Sequence, residues 1–208
     1  STLTIREFYI DSTPLSIAKL IKNTKNLPSL IKNTYEQEYL FPLSYAQERM
    51  WFLHKYNNSE DKHYNVSLSI HLLGRLDIGA LEKSLNKIIE RHEVYRTVFV
   101  ENETSVFQKI LPYQEFSLLI EKVRSEKEAN EIMVQEASKS FNLSSEQLIR
   151  IKLFLLELGH YILFINQHHI VHDGWSIDLL KKEISSLYQY YLKTDISRLP
   201  ILTSQYKE

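Results

Sequence analysis

The spacing of apolar and polar positions changes several times along the chain, and each change marks an element. Tyr64, Val66, Leu68, Ile70 and Leu72 alternate with Asn65, Ser67, Ser69 and His71, which predicts a strand with one buried face over 64–72. Asp77 then precedes Leu81, Leu85, Ile88 and Ile89 at helical spacing, an amphipathic helix with an aspartate cap. A strand resumes over 95–100, and 106–111 and 116–123 read as two more around the Leu111-Pro112-Tyr113 turn. Residues 125–140 form a charged helix with Ala129, Ile132, Met133 and Ala137 inward, and 151–158 a nearly continuous apolar strand. The sharpest change lies in 161–180. An apolar run meets paired histidines, turns at Asp173-Gly174, and restarts with Trp175, Ile177, Leu180, Ile184, Leu187, Tyr188 and Tyr191 at helical spacing. This predicts a buried strand, a tight turn and an amphipathic helix. Strands and helices interleave throughout, so the fold class is an α/β sandwich on a mixed sheet.

The first 40 residues differ. Thr13-Pro14 starts a short helix with Leu15, Ile17, Ala18, Leu20 and Ile21, too short to hold in water without a docking partner. Residues 25–40 carry no sustained period and read as a linker. Ser44 is an N-cap with Gln47 as its capping-box partner, opening a helix over 45–56. Tyr45, Met50, Trp51 and Leu53 are placed for burial there, and Gln47 and Arg49 on the polar side, Arg49 as a solvated charge. Arg91 and Arg96 flank the next helix–strand boundary, where arginines often close buried ion pairs.

Composition narrows the chemistry. The 208 residues carry a net charge of −1 with scattered lysine and arginine, which argues against nucleic acid as a partner. No cysteine is present, so thiolate nucleophiles, thiolate metal sites and disulfides are excluded. Four glycines, none at dinucleotide-loop, P-loop or nucleophile-elbow spacing, argue against nucleotide-dependent and serine-hydrolase chemistry. No apolar run reaches the length of a membrane helix and no signal pattern opens the chain, so a cytoplasmic location is expected.

The polar groups around the 161–180 turn are the candidate chemistry. A histidine held at a strand-to-helix junction can take and return a proton near neutral pH. Asp173, four residues past His169, can orient the ring or close the turn as an ion-pair partner. Structural readings stand beside these, because Asp-Gly is a turn signal and a buried histidine is commonly a satisfied core residue. A metal bound by His168, His169, His172 and Asp173 is disfavoured. Adjacent side chains of a strand point to opposite faces, and no His-Glu-x-x-His spacing follows.

Three separated stretches resemble motifs of condensation domains from nonribosomal peptide synthetases. Leu43-Ser44-Tyr45-Ala46-Gln47-Glu48-Arg49-Met50-Trp51 resembles the opening Ser-x-Ala-Gln-x-Arg-Leu-Trp motif. Arg91-His92-Glu93-Val94-Tyr95-Arg96-Thr97-Val98-Phe99 resembles Arg-His-Glu-x-Leu-Arg-Thr-x-Phe, with tyrosine where leucine is usual. His168-His169-Ile170-Val171-His172-Asp173-Gly174 fits the His-His-x-x-x-Asp-Gly active-site motif.

The resemblance implies a fold similar to chloramphenicol acetyltransferase, one lobe of a two-lobed domain. It implies that His169 acts at the reaction centre, that His168 and Asp173 shape the site, and that Gly174 lets substrate approach the turn. Arg49, Arg91, Arg96 and Trp175 become structural or active-site supports, and no metal is implied. Trp175-Ser176 resembles the peptide-bond-forming branch, and His168 is unlike the heterocyclising branch, which has aspartate there. Residues 1–24 resemble the end of a peptidyl carrier domain, 25–40 a linker and 41–208 the N-terminal lobe of a condensation domain. The implied activity is amide formation between carrier-bound thioesters, with the fragment alone inactive. The implied partners are upstream and downstream carrier domains, a C-terminal lobe and an adenylation domain. No cofactor is bound directly; phosphopantetheine arms deliver the substrates. Two alternatives remain, an acyltransferase of the same fold with a soluble acceptor and a non-catalytic carrier-binding module.

Overall fold

The computed structural model describes residues 40–56, 62–103, 105–157, 159–193 and 199–207. The expected helix after Thr13-Pro14 and nearly all of the expected linker fall outside them.

In the first described element, Leu40–Pro42 pair as strand β1, which takes in the last residue of the expected linker. Helix α1 (Tyr45–Tyr56) follows with its capping box formed. Gln47 N–H donates to Ser44 Oγ at 3.3 Å, and Ser44 N–H donates to Gln47 Oε1 at 3.0 Å. Strand β2 (Asn65–Leu73) shows the expected alternation of half-buried and exposed residues. Helix α2 (Ile78–Arg91) is capped by Asp77, whose carboxylate accepts from Ala80 N–H at 2.9 Å. A 3-10 turn over Glu93–Arg96 delays strand β3 to Thr97–Glu101. Tyr95, expected in the strand, is instead buried in that turn. Strands β4 (Val106–Ile110) and β5 (Leu119–Lys122) and helix α3 (Glu126–Ala137, capped by Ser125) come next. Strands β6 (Ile149–Glu157) and β7 (His160–His168) precede a 3-10 turn at His169–Val171 and helix α4 (Gly174–Tyr191). Among the described residues, no helix is long and apolar enough to cross a membrane.

The strands of the described residues form two sheets rather than the single one expected. The smaller is antiparallel, in the order β1-β4-β3, and the larger is mixed, β2-β7-β6-β5, with β5 and β6 parallel. Alternation along a strand reports which face is buried and not which neighbour it pairs with, so this division was not legible. β5 is shorter than the expected 116–123 because only four residues pair with β6.

Strand β7 explains why the larger sheet is covered on both sides. Tyr161, Leu163 and Ile165 pack with Leu81, Leu85, Ile88, Ile89, Leu180 and Ile184 of α2 and α4. Ile162 and Phe164, on the opposite face, pack with Ala129 and Met133 of α3. Burying both faces requires the continuous apolar run seen in the sequence. Each such side chain contributes about 1.5–3 kcal/mol, so β7 is held far more firmly than the edges. A third cluster joins Trp51 of α1, Phe99 of β3, Phe141 and Leu148 to Ile170 and Val171. It seats the turn that leaves β7.

Candidate active site

The end of β7 is gripped by the residues that immediately precede its two neighbouring strands. His168 N–H donates to the Leu148 carbonyl at 3.1 Å, and His169 N–H donates to the Tyr64 carbonyl at 2.8 Å. Strand alternation then sends the two imidazoles in opposite directions. His168 is fully buried, with its ring against Tyr64, Phe141 and His54 at centroid distances of 6.2, 6.3 and 5.9 Å. Its Nδ1 accepts from Ile170 N–H at 3.2 Å and so caps the 3-10 turn. An accepting Nδ1 carries no proton, so the neutral tautomer places the hydrogen on Nε2. His169 is exposed.

His169 lines a cavity of about 320 Å³ together with Met50, Ile170, His172, Asp173 and Tyr206. Its ring stacks on that of His172, with centroids 5.0 Å apart and planes 19° from parallel. Burial holds the His172 imidazole below its usual range, and the neighbouring His169 pushes the same way against the opposing pull of the Asp173 carbonyl. His172 is therefore neutral at physiological pH. Its Nδ1 faces the Asp173 carbonyl at 3.4 Å, and a carbonyl only accepts, so Nδ1 carries the hydrogen.

Asp173 closes the turn by capping α4, not through an ion pair. Its Oδ1 accepts from Ser176 N–H at 2.9 Å and Ser176 Oγ–H at 2.6 Å, while Asp173 N–H donates back to Ser176 Oγ at 3.3 Å. The Ser176 side chain, then its backbone N–H, hold the carboxyl below the ordinary range. The physical reason is position. Asp173 sits at the exposed start of a helix, where free N–H groups compete successfully for a carboxylate. Gly174 has open space around it, since a Cβ built there meets nothing within 4 Å. Trp175, read as inward from its helical spacing, is 79% exposed on the first turn of α4.

The arginines part company. Arg91 Nε donates to Glu183 of α4 at 3.2 Å, and His92 Nε2 meets the other carboxylate oxygen at 2.6 Å. Burial alone would raise the Glu183 carboxyl, but the bonds and charges of His92 and Arg91 outweigh it and hold it low. Beside it, burial and the Glu183 charge push the Tyr95 phenol up to about 12. Among the described residues, Arg96 closes no ion pair of the kind expected. It donates to the carbonyls of Ile89 and Glu90, which the end of α2 leaves without helical partners, and to that of Leu111 after β4. Arg49 is exposed on α1.

Two expectations at α1 reverse. Tyr45 is 90% exposed, whereas Gln47 is buried. The Gln47 amide donates to Gln108 Oε1 at 3.0 Å, and Gln108 donates to the Pro42 carbonyl at 2.8 Å, tying α1 to both strands beside the cavity. Sequence reading also missed Tyr206, whose hydroxyl lies 3.1 Å from Ser44 Oγ at the cavity wall. Next to it Gln205 Nε2 donates to the Arg91 carbonyl, and Lys207 pairs with Glu93 at 2.7 Å. His172 was visible only as a possible metal ligand, hidden in a variable position of the motif.

An α/β lobe with a histidine at the end of its central strand matches known domains. The Condensation domain family matches residues 36–208, and the chain belongs to that family. It is 36% identical over 166 residues to malpinin synthetase of Mortierella alpina, covering 78% of this chain and 2% of that protein. It is 37% identical over 166 residues to cyclosporin synthetase simA of Tolypocladium inflatum, covering 78% and 1%. Among solved structures, the X-domain from teicoplanin biosynthesis aligns with a TM-score of 0.76 at 26% identity, over 86% of this chain and 38% of that one. The first condensation domain of the calcium-dependent antibiotic synthetase, in complex with a substrate analogue, aligns with a TM-score of 0.70 at 21% identity, over 77% and 40%. The expected fold class therefore holds, and the chain spans about two fifths of these solved domains.

Proposed function

We propose that this chain supplies the histidine-bearing lobe of a domain that forms an amide bond between two carrier-bound thioesters. The observation that carries the reading is the exposed His169 imidazole at the wall of the 320 Å³ cavity, its backbone N–H bonded to the Tyr64 carbonyl and its neighbour His168 bonded to that of Leu148. In the reaction the acceptor's α-amine attacks the donor thioester carbonyl and a C–N bond forms. The tetrahedral intermediate expels the pantetheine sulfur as the C–S bond breaks, and the proton lost by nitrogen ends on that sulfur or in solvent. His169 touches the amine, orienting its lone pair or accepting its proton. His168 acts as a positioning residue by fixing the turn, Asp173 by capping α4, and Arg91 and Arg96 by tying down α2. Arg49 and Trp175, both exposed, face outward as supports for other parts of the assembly. Gly174 leaves room for a substrate chain.

The substrates arrive on phosphopantetheine arms of upstream and downstream carrier domains, with no cofactor held by this lobe. An adenylation domain would load those carriers, a second lobe would close the cavity, and the location would be cytoplasmic. Because the chain spans about 40% of the solved condensation domains, we propose that it is inactive alone. The test combines the chain with a second condensation lobe and two loaded carriers. Dipeptidyl-carrier product that depends on both the added lobe and His169 supports the reading; product from the 208-residue chain alone, or product unaffected by His169→Ala, overturns it.

A further inference from the structure

A second group of ligating side chains lies at the other end of β7. His71 of β2 and His160 of β7 sit on one sheet face as a diagonal pair, since His71 is opposite Ile162 and His160 opposite Leu73. Helix α3 packs over that same face through Ala129 and Met133, which brings Glu126 of its first turn above the two imidazoles. His71 Nδ1 lies 3.2 Å from His160 Nε2, and Glu126 Oε1 lies 3.7 Å from His160 Nε2 and 4.0 Å from His71 Nδ1. The three groups come from positions far apart in sequence, so no local spacing announces them.

We propose that His71, His160 and Glu126 form a zinc site. The three separations define a triangle whose centre lies about 2.1 Å from every corner, within the usual range for zinc bonded to imidazole nitrogen and carboxylate oxygen. A tetrahedral ion sits slightly above the plane of three ligands, so the corners close by a few tenths of an ångström when it binds. Glu126 can make that adjustment because its side chain is 56% exposed. A shared hydrogen between the imidazoles is the competing account of the 3.2 Å contact. It leaves Glu126 beyond hydrogen-bond reach of both rings, whereas an ion engages all three. The positive end of α3 disfavours a cation, and the Glu126 carboxylate at that end offsets it.

The ligand set is nitrogen-rich and lacks the many oxygens that calcium or magnesium takes, so zinc is the fitting class. Three protein ligands leave a fourth position for water or for a donor from another molecule. The ion would clip strand β2 and helix α3 to β7. His160 and His168 are the two ends of the nine-residue strand, so the clip stands about 27 Å along it from the cavity, away from the proposed amide chemistry.

The test titrates Zn²⁺ into the purified chain, free of any histidine tag, above the ordinary imidazole pKa of about 6.5. Calorimetry gives affinity and stoichiometry, and Co²⁺ substitution gives the absorption of a tetrahedral site. The expected result is one ion per chain and a zinc-dependent rise in Tm. Binding should weaken by about 100-fold or more in His71→Ala and His160→Ala and less steeply in Glu126→Gln, and persist in His169→Ala. Zinc-free Tm values check that each variant folds. Absent binding overturns the proposal. So does binding that survives His71→Ala and His160→Ala, and binding lost with His169 places the ion at the other histidines.

Discussion

The His169 ring lies stacked on His172, 5.0 Å between centroids, with His172 buried and kept neutral. A neutral neighbour sets no positive charge beside the His169 ring, and the stack limits its rotation. Because the folded-state pKa of His172 is depressed, the unfolded chain takes up a proton that the folded chain does not. Stability is therefore unaffected above the ordinary imidazole value of about 6.5 and falls as pH drops below it. Melting curves between pH 7.5 and 5 should show that loss in the wild type and a flatter profile in His172→Gln, with both limits chosen to bracket the value of about 6.5. Equal slopes would show that His172 is protonated in the folded state too.

The paired histidines should separate stability from activity. His168 is fully buried and caps the turn, so His168→Ala leaves a cavity and an orphaned Ile170 N–H. The expected loss is about 2–4 kcal/mol, or roughly 5–15 °C in Tm for a unit of this size. His169 is exposed, and His169→Ala should leave Tm within about 2 °C while, under the proposed function, slowing turnover in the assembled domain by about 10²-fold or more. Equal destabilisation by both variants would mean that His169 holds the fold rather than the substrate.

Glu183 joins α4 to the end of α2 by accepting from Arg91 and by its contact with His92. Removing one member of a buried pair typically costs about 3–5 kcal/mol, so Glu183→Ala should be among the most damaging single changes outside the apolar core. The folded carboxyl titrates below its usual range, so this contribution is present at neutral pH and above the unfolded value. It fades as pH falls through the lowered folded pKa, well below the His172 window. Glu183→Gln should remove that low-pH dependence; an unchanged acid limb would assign it to other carboxylates.

Asp173 and Gly174 test the turn itself. Capping aspartates typically contribute about 0.5–2 kcal/mol, so Asp173→Ala should cost about 1 kcal/mol and Asp173→Asn should recover most of it. A loss of several kcal/mol would reveal an ion pair after all. Gly174 is not confined by its surroundings, so Gly174→Ala should fold normally. Under the proposed function it should slow turnover by crowding the substrate, and unchanged turnover would show that substrate keeps clear of the turn.

What the sequence made legible follows from how each element is buried. Helix α2 presents one apolar stripe, Leu81, Leu85, Ile88 and Ile89, and all four are buried as read. Strand β7 is apolar on both faces and is sandwiched as read. Gln47 was misplaced because polarity was taken for exposure, yet its amide is satisfied by Ser44 and Gln108 in the interior. Tyr45 and Trp175 failed in the opposite sense. Both lie in first turns of helices where one side of the pattern has no partner among the described residues, so apolar spacing continues past the surface that is covered. The place of the paired histidines, at the end of a buried strand, was legible through the apolar run before them. The role of Asp173 was not, because an aspartate beside glycine reads equally as a cap or an ion-pair partner until its neighbours are placed.

Under the function proposed above, the pH dependence of His169→Ala in the assembled domain separates base from positioner. An α-amine titrates at about 7.7–8.0, so about a tenth of the acceptor is already neutral at pH 7. General-base assistance typically supplies about 10²–10⁴-fold, and solvent base replaces part of it as pH rises. If His169 chiefly takes the proton, the deficit of His169→Ala against wild type should shrink through the amine's titration. If it chiefly orients the amine, the deficit should persist, because pH does not restore a lost contact; positioning of this kind is worth up to several kcal/mol. Under that proposal, orientation is the larger part. His169 is fixed by its backbone bond to Tyr64 and its stack on His172, while the nucleophile needs little help in losing a proton. The expected result is a deficit that narrows modestly and remains large at about pH 9, above the ordinary amine value. A deficit that vanishes there would make His169 a general base first.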